Sequence, residues 1–350
     1  MVRVKAKGLA VAALFAATAA CAYAELGVSF VGYVQRDPVT NAVEISGVTW
    51  AGGDLYYAVD DEGARLIFPL TIAIDPATGK ISSHSIGEGV VVAGAVDMEG
   101  CAYDPISGNV WVSDEGQHKM YKPLPKIREI DQKTGKAIRS LPIPPVQYER
   151  YGNFSFEALT MSGDGLTMWT CNEEALKCDG PRASLEAGST VRLTKFTRPS
   201  GDGDWKEEGE WAYVTDPIQG RLYANRSRSG VSALCVLPDG TLLALERELH
   251  SQKGPFIQLP DFRLRIYQVD FTGATEISSF PALTNATFKA TSKRLLIERD
   301  TGFANYEGMC LGPRLDDGSS ALVLVSDGGN DAKKEIMTMR LTGLDVKSRP

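Results

Sequence analysis

The chain has 350 residues and a formal net charge of −7, with 43% hydrophobic and 23% charged residues. That composition over that length buries a substantial core, which excludes a disordered chain and allows one large domain or two ordinary ones. The acidic balance, with no Lys/Arg-rich run, argues against a nucleic-acid partner.

The first 24 residues read as a leader rather than as part of the fold. Arg3, Lys5 and Lys7 form a positive start, Gly8 to Ala20 an apolar run too short to span a bilayer, and Ala22-Tyr23-Ala24 an A-x-A cleavage site. Cys21 raises the alternative of lipoprotein processing, but Thr18-Ala19-Ala20 before it lacks the usual large aliphatic residue. The expectation is a signal peptide over 1–24 and one exported domain over 25–350, periplasmic or secreted, monomeric and without a membrane span.

Five segments of the remaining chain share one pattern, an apolar strand, a Gly/Asp/Pro turn and a second apolar strand that ends in acid. The first runs from Ile45-Ser46-Gly47-Val48 to Val59-Asp60-Asp61-Glu62, and the second from Met98-Glu99-Gly100-Cys101 to Val112-Ser113-Asp114-Glu115. The third goes from Phe156-Glu157-Ala158-Leu159, through Ser162-Gly163-Asp164-Gly165, to Cys171-Asn172-Glu173-Glu174. The fourth goes from Val231-Ser232-Ala233-Leu234, through Pro238-Asp239-Gly240, to Leu245-Glu246-Arg247-Glu248. The fifth goes from Tyr306-Glu307-Gly308-Met309, through Asp316-Asp317-Gly318, to Val325-Ser326-Asp327-Gly328.

A second, weaker repeat follows these hairpins. Ile74-Asp75-Pro76-Ala77-Thr78-Gly79 and Ile130-Asp131-Gln132-Lys133-Thr134-Gly135 match closely, and Val269-Asp270-Phe271-Thr272-Gly273 in part. Two hairpins per unit make a four-stranded meander, and the unit starts at 46, 99, 157, 232 and 307 are spaced like propeller blades with insertions. The prediction is an all-β propeller with five visible blades, its ring closed by the alternating segment Val28 to Val34. The long stretches 175–229 and 249–304 leave room for a sixth, degenerate blade. A linear β-solenoid is the structural rival, disfavoured because its coils repeat at much shorter intervals.

Antiparallel pairing brings the start of one strand and the end of its partner to the same sheet edge. It therefore sets Glu99 beside Asp114, Glu157 beside Asn172 and Glu173, Ser232 beside Glu246, Glu307 beside Asp327, and Ser46 beside Asp60 and Asp61. With the first hairpin innermost, these groups converge on one mouth of the central channel. Crowded carboxylates must be protonated, paired with bases or bridged by a cation, and an all-oxygen set favours Ca²⁺, with Mg²⁺ second. Two of the three histidines, His118 and His250, fall four residues after the strand-end acids Asp114 and Glu246. Histidine there would serve as a general base, metal ligand or phosphate partner. Arg247, Arg65 and Lys119 lie near the same edge, suited to an anionic substrate or to neutralising the acids.

Cys171 and Cys178, with six residues between them, form a candidate disulfide, whereas Cys101, Cys235 and Cys310 read as small buried hydrophobes. No CxxC pair supports zinc or thiol-redox chemistry, no G-x-S-x-G elbow supports a serine hydrolase triad, and no P-loop is present.

Phe156-Glu157-Ala158-Leu159 before Gly163-Asp164-Gly165, Leu237-Pro238-Asp239-Gly240 leading to Leu245-Glu246-Arg247, and Lys293-Arg294-Leu295-Leu296 resemble the phytase-like domain family, also called "esterase-like activity of phytase". So, most clearly, does Asn305-Tyr306-Glu307-Gly308-Met309 with Gly312-Pro313, Asp317-Gly318 and Leu324-Val325-Ser326-Asp327. The resemblance covers roughly residues 40–340 and implies an exported propeller that hydrolyses carboxylic or phosphate esters. The chain departs from the pattern where Ala158 replaces the Gly of E-G and where Ser46 and Ser232 replace acids.

Two functions follow. In one, Glu99, Glu157, Glu307, Asp114, Glu246 and Asp327 hold Ca²⁺, His118 or His250 transfers protons and Arg247 binds a small anionic ester or phosphoester. Asp60, Asp61, Glu173, Ser46 and Ser232 then form the rim. In the other, the propeller is a non-catalytic binding module with a structural cation in its mouth.

Overall fold

The computed structural model describes residues 25–36, 44–61, 63–116, 124–143, 155–222, 226–251, 259–327 and 333–344. The first strand, β1 (Gly27–Gln35), belongs to the last sheet. Blade 1 is built from β2 (Gly47–Gly52), β3 (Leu55–Val59), β4 (Leu66–Ile74) and β5 (Ile81–Ile86), with the short β6 (Val90–Val91) also paired to β4. Blade 2 contains β7 (Met98–Tyr103), β8 (Val110–Asp114), β9 (Lys126–Ile130) and β10 (Ala137–Ser140). Blade 3 contains β11 (Phe156–Met161), β12 (Thr167–Asn172), β13 (Thr190–Thr197) and β14 (Lys206–Val214). Blade 4 contains β15 (Arg228–Val236), β16 (Leu242–Ser251), β17 (Pro260–Asp270) and β18 (Ser292–Gly302). Blade 5 contains β19 (Asn305–Arg314), β20 (Ser320–Asp327) and β21 (Glu335–Thr342), and β1 pairs antiparallel with β21 as its outer strand.

The fold is a propeller of five antiparallel blades, closed by the N-terminal strand as the sequence predicts. The described parts of the two long stretches are spent on the outer strands and connections of blades 3 and 4, so they supply no sixth sheet. The Asp-x-x-Thr-Gly turns work by one mechanism. The Asp75 carboxylate accepts the amides of Ala77 and Thr78 at 2.9 and 3.0 Å, and Asp131 does the same for Lys133 and Thr134 at 2.8 and 3.2 Å.

Each seam between neighbouring blades holds its own apolar cluster. On β16, Leu242 and Ala244 pack toward blade 3 while Leu243 and Leu245 pack toward blade 5, the period-2 alternation of a strand buried on both faces. The inner strands touch in the order β2, β7, β11, β15, β19 and back to β2, so they line the axis. No helix among the described residues is long and apolar enough to cross a membrane.

Candidate functional site

Four of the five inner strands carry a register slip at the same place. It falls between Met98 and Cys101, Phe156 and Ala158, Val231 and Ala233, and Tyr306 and Gly308. The residues in the slips are Glu99, Glu157, Ser232 and Glu307, and in blade 1 Ser46 directly precedes β2. A bulge kinks the strand and re-aims its side chain, which is how a strand with both faces buried turns a carboxylate toward the axis.

The sequence motif behind the bulge is E-G, and the glycine has a packing reason. A methyl group on Gly47 would lie 2.6 Å from the Glu99 carbonyl oxygen, and one on Gly100 would lie 2.6 Å from both the Glu157 carbonyl oxygen and the Leu159 nitrogen. The inner strands are simply too close there for a side chain. The serines at the same level join the blades: Ser46 Oγ donates to the Met98 carbonyl at 2.7 Å, and Ser232 Oγ to the Tyr306 carbonyl at 3.3 Å.

Glu99, Glu157 and Glu307 therefore share one electrostatic environment. Burial is the main reason all three carboxyls are shifted upward, Glu99 and Glu157 well above the ordinary range and Glu307 to about 8. The charges next in weight differ. On Glu99 they are all acidic, from Glu157, Glu115, Asp61 and Asp97. On Glu157 the acids Glu173, Glu115 and Glu307, and on Glu307 the acids Asp327, Asp61 and Glu173, are partly offset by Arg247. Arg247 Nη2 donates to Glu173 Oε1 at 2.6 Å and to Glu307 Oε1 at 3.0 Å, which ties blade 4 to blades 3 and 5. Asn305 Nδ2 bridges Glu307 and Asp327 at 2.8 and 3.3 Å.

The strand-end acids have other work. Asp114 is buried and accepts the amides of Val96, Asp97 and Gly116 together with Arg128 Nη2 at 3.1 Å. It does not turn into the cluster but braces the loop that does, and the Glu115 amide donates to the Asp97 carbonyl at 2.8 Å. Asp97, Glu99 and Glu115 consequently bring carboxylate oxygens within 4.8 Å of one another. Asp97 and Glu115 are not among the candidates that the repeat singles out; the signal for them is that each lies within two residues of one that is, Glu99 or Asp114.

Glu246, also expected in the mouth, is fully buried at the seam with blade 3. It accepts the Tyr213 hydroxyl at 2.6 Å, the Asp216 amide at 2.8 Å and Lys293 Nζ at 2.5 Å. Asp60 likewise accepts the Arg65 amide at 3.1 Å. His250 lies on the same side of β16 as Glu246, with Nδ1 3.4 Å from Glu248, Nε2 3.6 Å from Asp261 and its ring against Gly220. The structure thus places it in a seam, away from the carboxylates of the mouth. His118 lies outside the described residues. Arg247, expected from sequence to grip a substrate anion, already holds two carboxylates. Cys171 is a buried thiol with no disulfide, so the bridge expected between it and Cys178 is not formed.

Oxygen-only donors with, among the described residues, no base among the strongest charges on Glu99 fit a hard divalent cation, and the three clustered carboxyl groups are the donor chemistry that it requires.

Comparison with solved structures gives only low likeness. The chain is similar to the structure described as "Crystal structure of Nidogen/Laminin Complex" at 8% identity, covering 86% of this chain and 88% of that one, with a TM-score of 0.37. It is similar to the WD40 β-propeller domain of Doa1 at 10% identity, covering 90% and 97%, with a TM-score of 0.34. It is also similar to the polysaccharide lyase Uly1 at 8% identity, covering 89% and 92%, with a TM-score of 0.32. Likeness at this level carries no argument about function. No curated protein matches the sequence. A family model described as "Phytase-like: Esterase-like activity of phytase" matches residues 41–329, a span that takes in all five inner hairpins and every carboxylate of the mouth. The chain belongs to the phytase-like family.

Proposed function

We propose that the protein is a divalent-cation-dependent hydrolase of phosphate or carboxylic esters, acting at the channel mouth. The observation that carries this reading is the convergence of Asp97, Glu99 and Glu115 within 4.8 Å, in the same electrostatic environment as the buried Glu157. Asp97, Glu99 and Glu115 would hold Ca²⁺, with Mg²⁺ the poorer fit for so crowded a carboxylate set. When bound there, the cation would supply Lewis-acid polarisation of the ester oxygen and acidification of water. Asp114 keeps the three carboxylates in place through the amides of Asp97 and Gly116. Burial and the neighbouring acids push the Glu157 carboxyl well above the ordinary range, which suits it to give a proton to the leaving oxygen. Glu157 thus takes the proton-transfer role that the sequence suggests for His250. Positive charge and apolarity before Ala24 support action outside the cytoplasm.

One observation favours a binding propeller with a structural cation instead: both His250 and Arg247 are committed to protein partners. Turnover of p-nitrophenyl acetate and p-nitrophenyl phosphate decides between the two. Hydrolysis that is lost in EDTA, restored by Ca²⁺ and abolished by Glu157→Gln supports the hydrolase. Calcium binding without turnover of either ester supports the binding module.

A further inference from the structure

We infer that Arg247 is an internal counter-ion, standing where a second divalent cation would otherwise bind. The inference rests on the cation reading of the mouth but concerns its other half. Arg247 Nη2 lies 2.6 Å from Glu173 Oε1 and 3.0 Å from Glu307 Oε1, so one point in the mouth is shared by two carboxylate oxygens from blades 3 and 5. Calcium–oxygen distances are about 2.3–2.6 Å, so the guanidinium nitrogen occupies a position suited in size and charge to a hard cation. A third oxygen stands close by. Asn305 is 7% exposed, donates through Nδ2 to Glu307 Oε1 at 2.8 Å and leaves its Oδ1 without a hydrogen-bond partner among the described residues.

The guanidinium itself is not fully satisfied. Arg247 is 7% exposed, yet its Nε has no hydrogen-bond partner among the described residues. A planar five-donor fork has been used here for charge at one nitrogen rather than for bidentate recognition, for which arginine is normally suited. The charge it supplies is a single one, set against the Glu173 and Glu307 carboxyl groups that it touches. In the other half, Asp97, Glu99 and Glu115 bring their carboxylate oxygens within 4.8 Å of one another, and among the described residues the strongest charges on Glu99 are all acidic. Arg247 therefore limits the mouth to one cation and directs it to the Asp97–Glu99–Glu115 half.

Calorimetric titration of Ca²⁺ into the full chain tests this. Arg247→Gln is expected to take up one more Ca²⁺ per chain than the unsubstituted protein, and Arg247→Lys, which keeps the charge, no more than the unsubstituted protein. If R247Q is unfolded as purified, refolding with Ca²⁺ in the buffer is expected to recover it, because the cation replaces the lost counter-charge. An unchanged stoichiometry in folded R247Q, or failure to refold with Ca²⁺, overturns the inference. The cation reading fails separately, when the unsubstituted protein takes up none; a gain from none to one in R247Q would then still support the counter-ion.

Discussion

Gly100 lies directly against the backbone of Glu157, the inner strands of blades 2 and 3 meeting so closely that a Cβ on Gly100 would stand 2.6 Å from the Glu157 carbonyl oxygen. The same contact is reinforced by Ser113 Oγ, which accepts the Gly100 amide at 2.7 Å and donates to the Glu157 carbonyl at 3.1 Å. Gly100→Ala must push two backbones apart, and overpacking of this kind costs about 1–3 kcal/mol. Gly163, in the β11–β12 turn, has no positive φ, and a methyl group added to it would meet nothing within 4 Å. Gly163→Ala is expected to be neutral or stabilising by about 0.5 kcal/mol through the unfolded state. Urea unfolding of both variants measures the contrast, and equal losses would contradict the close-approach account.

Calcium is expected to raise the melting temperature, since a ligand bound only by the folded chain stabilises it, by about 2.7 kcal/mol at a hundredfold excess over Kd. Glu99→Gln removes the central carboxylate of the Asp97–Glu99–Glu115 group and is expected to abolish most of that rise while leaving the cation-free melt unchanged or higher. A calcium response undiminished in E99Q would place the cation elsewhere.

The cation-free protein should lose stability as pH rises. Glu307 has a folded value near 8 against 4.5 for the free side chain, and Glu99 and Glu157 shift in the same direction. Between those values the folded state binds more protons than the unfolded one, so stability is complete below about pH 4.5 and is lost progressively up to about pH 8. Melting temperatures measured in EDTA across that range are expected to fall, and saturating Ca²⁺ to flatten the slope. A melt in EDTA that is flat across the range would show that the carboxylates ionise without cost.

Glu246 separates structural acids from those of the mouth. It is fully buried with Tyr213, the Asp216 amide and Lys293 as partners, and Glu246→Ala leaves the Tyr213 hydroxyl and the Asp216 amide unmatched and Lys293 with the Asp216 carboxylate alone. Breaking a buried pair from one side costs about 3–5 kcal/mol. The expected result is a large loss in urea with calcium affinity preserved in the folded fraction. A tenfold loss of calcium affinity with stability intact would return Glu246 to the metal site.

The blade count, the all-β class and the closing role of Val28 to Val34 were legible because they are local. Alternation at period 2, Asp-Gly turns and Asp-x-x-Thr-Gly loops follow from sterics and hydrogen bonds within a few residues. The inner position of Glu99, Glu157 and Glu307 was legible for the same reason, as a fixed offset from the start of a recurring strand.

What each acid meets was not legible, because its partner comes from another blade. Arg247 is 74 residues from Glu173 and 60 from Glu307, and only closure of the ring brings them within hydrogen-bond reach. Asp114 and Glu246 match Asp327 in the repeat, yet the amides and bases supplied by neighbouring loops draw the first two away from the axis. His250 shows the limit most simply: sequence offset put it four residues from Glu246, and strand alternation then fixed it on that residue's side of β16, toward a seam rather than the channel. The sequence by itself determined which carboxylates start the inner strands. The tertiary structure decided which of them are matched by a base, because charge compensation depends on distances across the ring that no local pattern encodes.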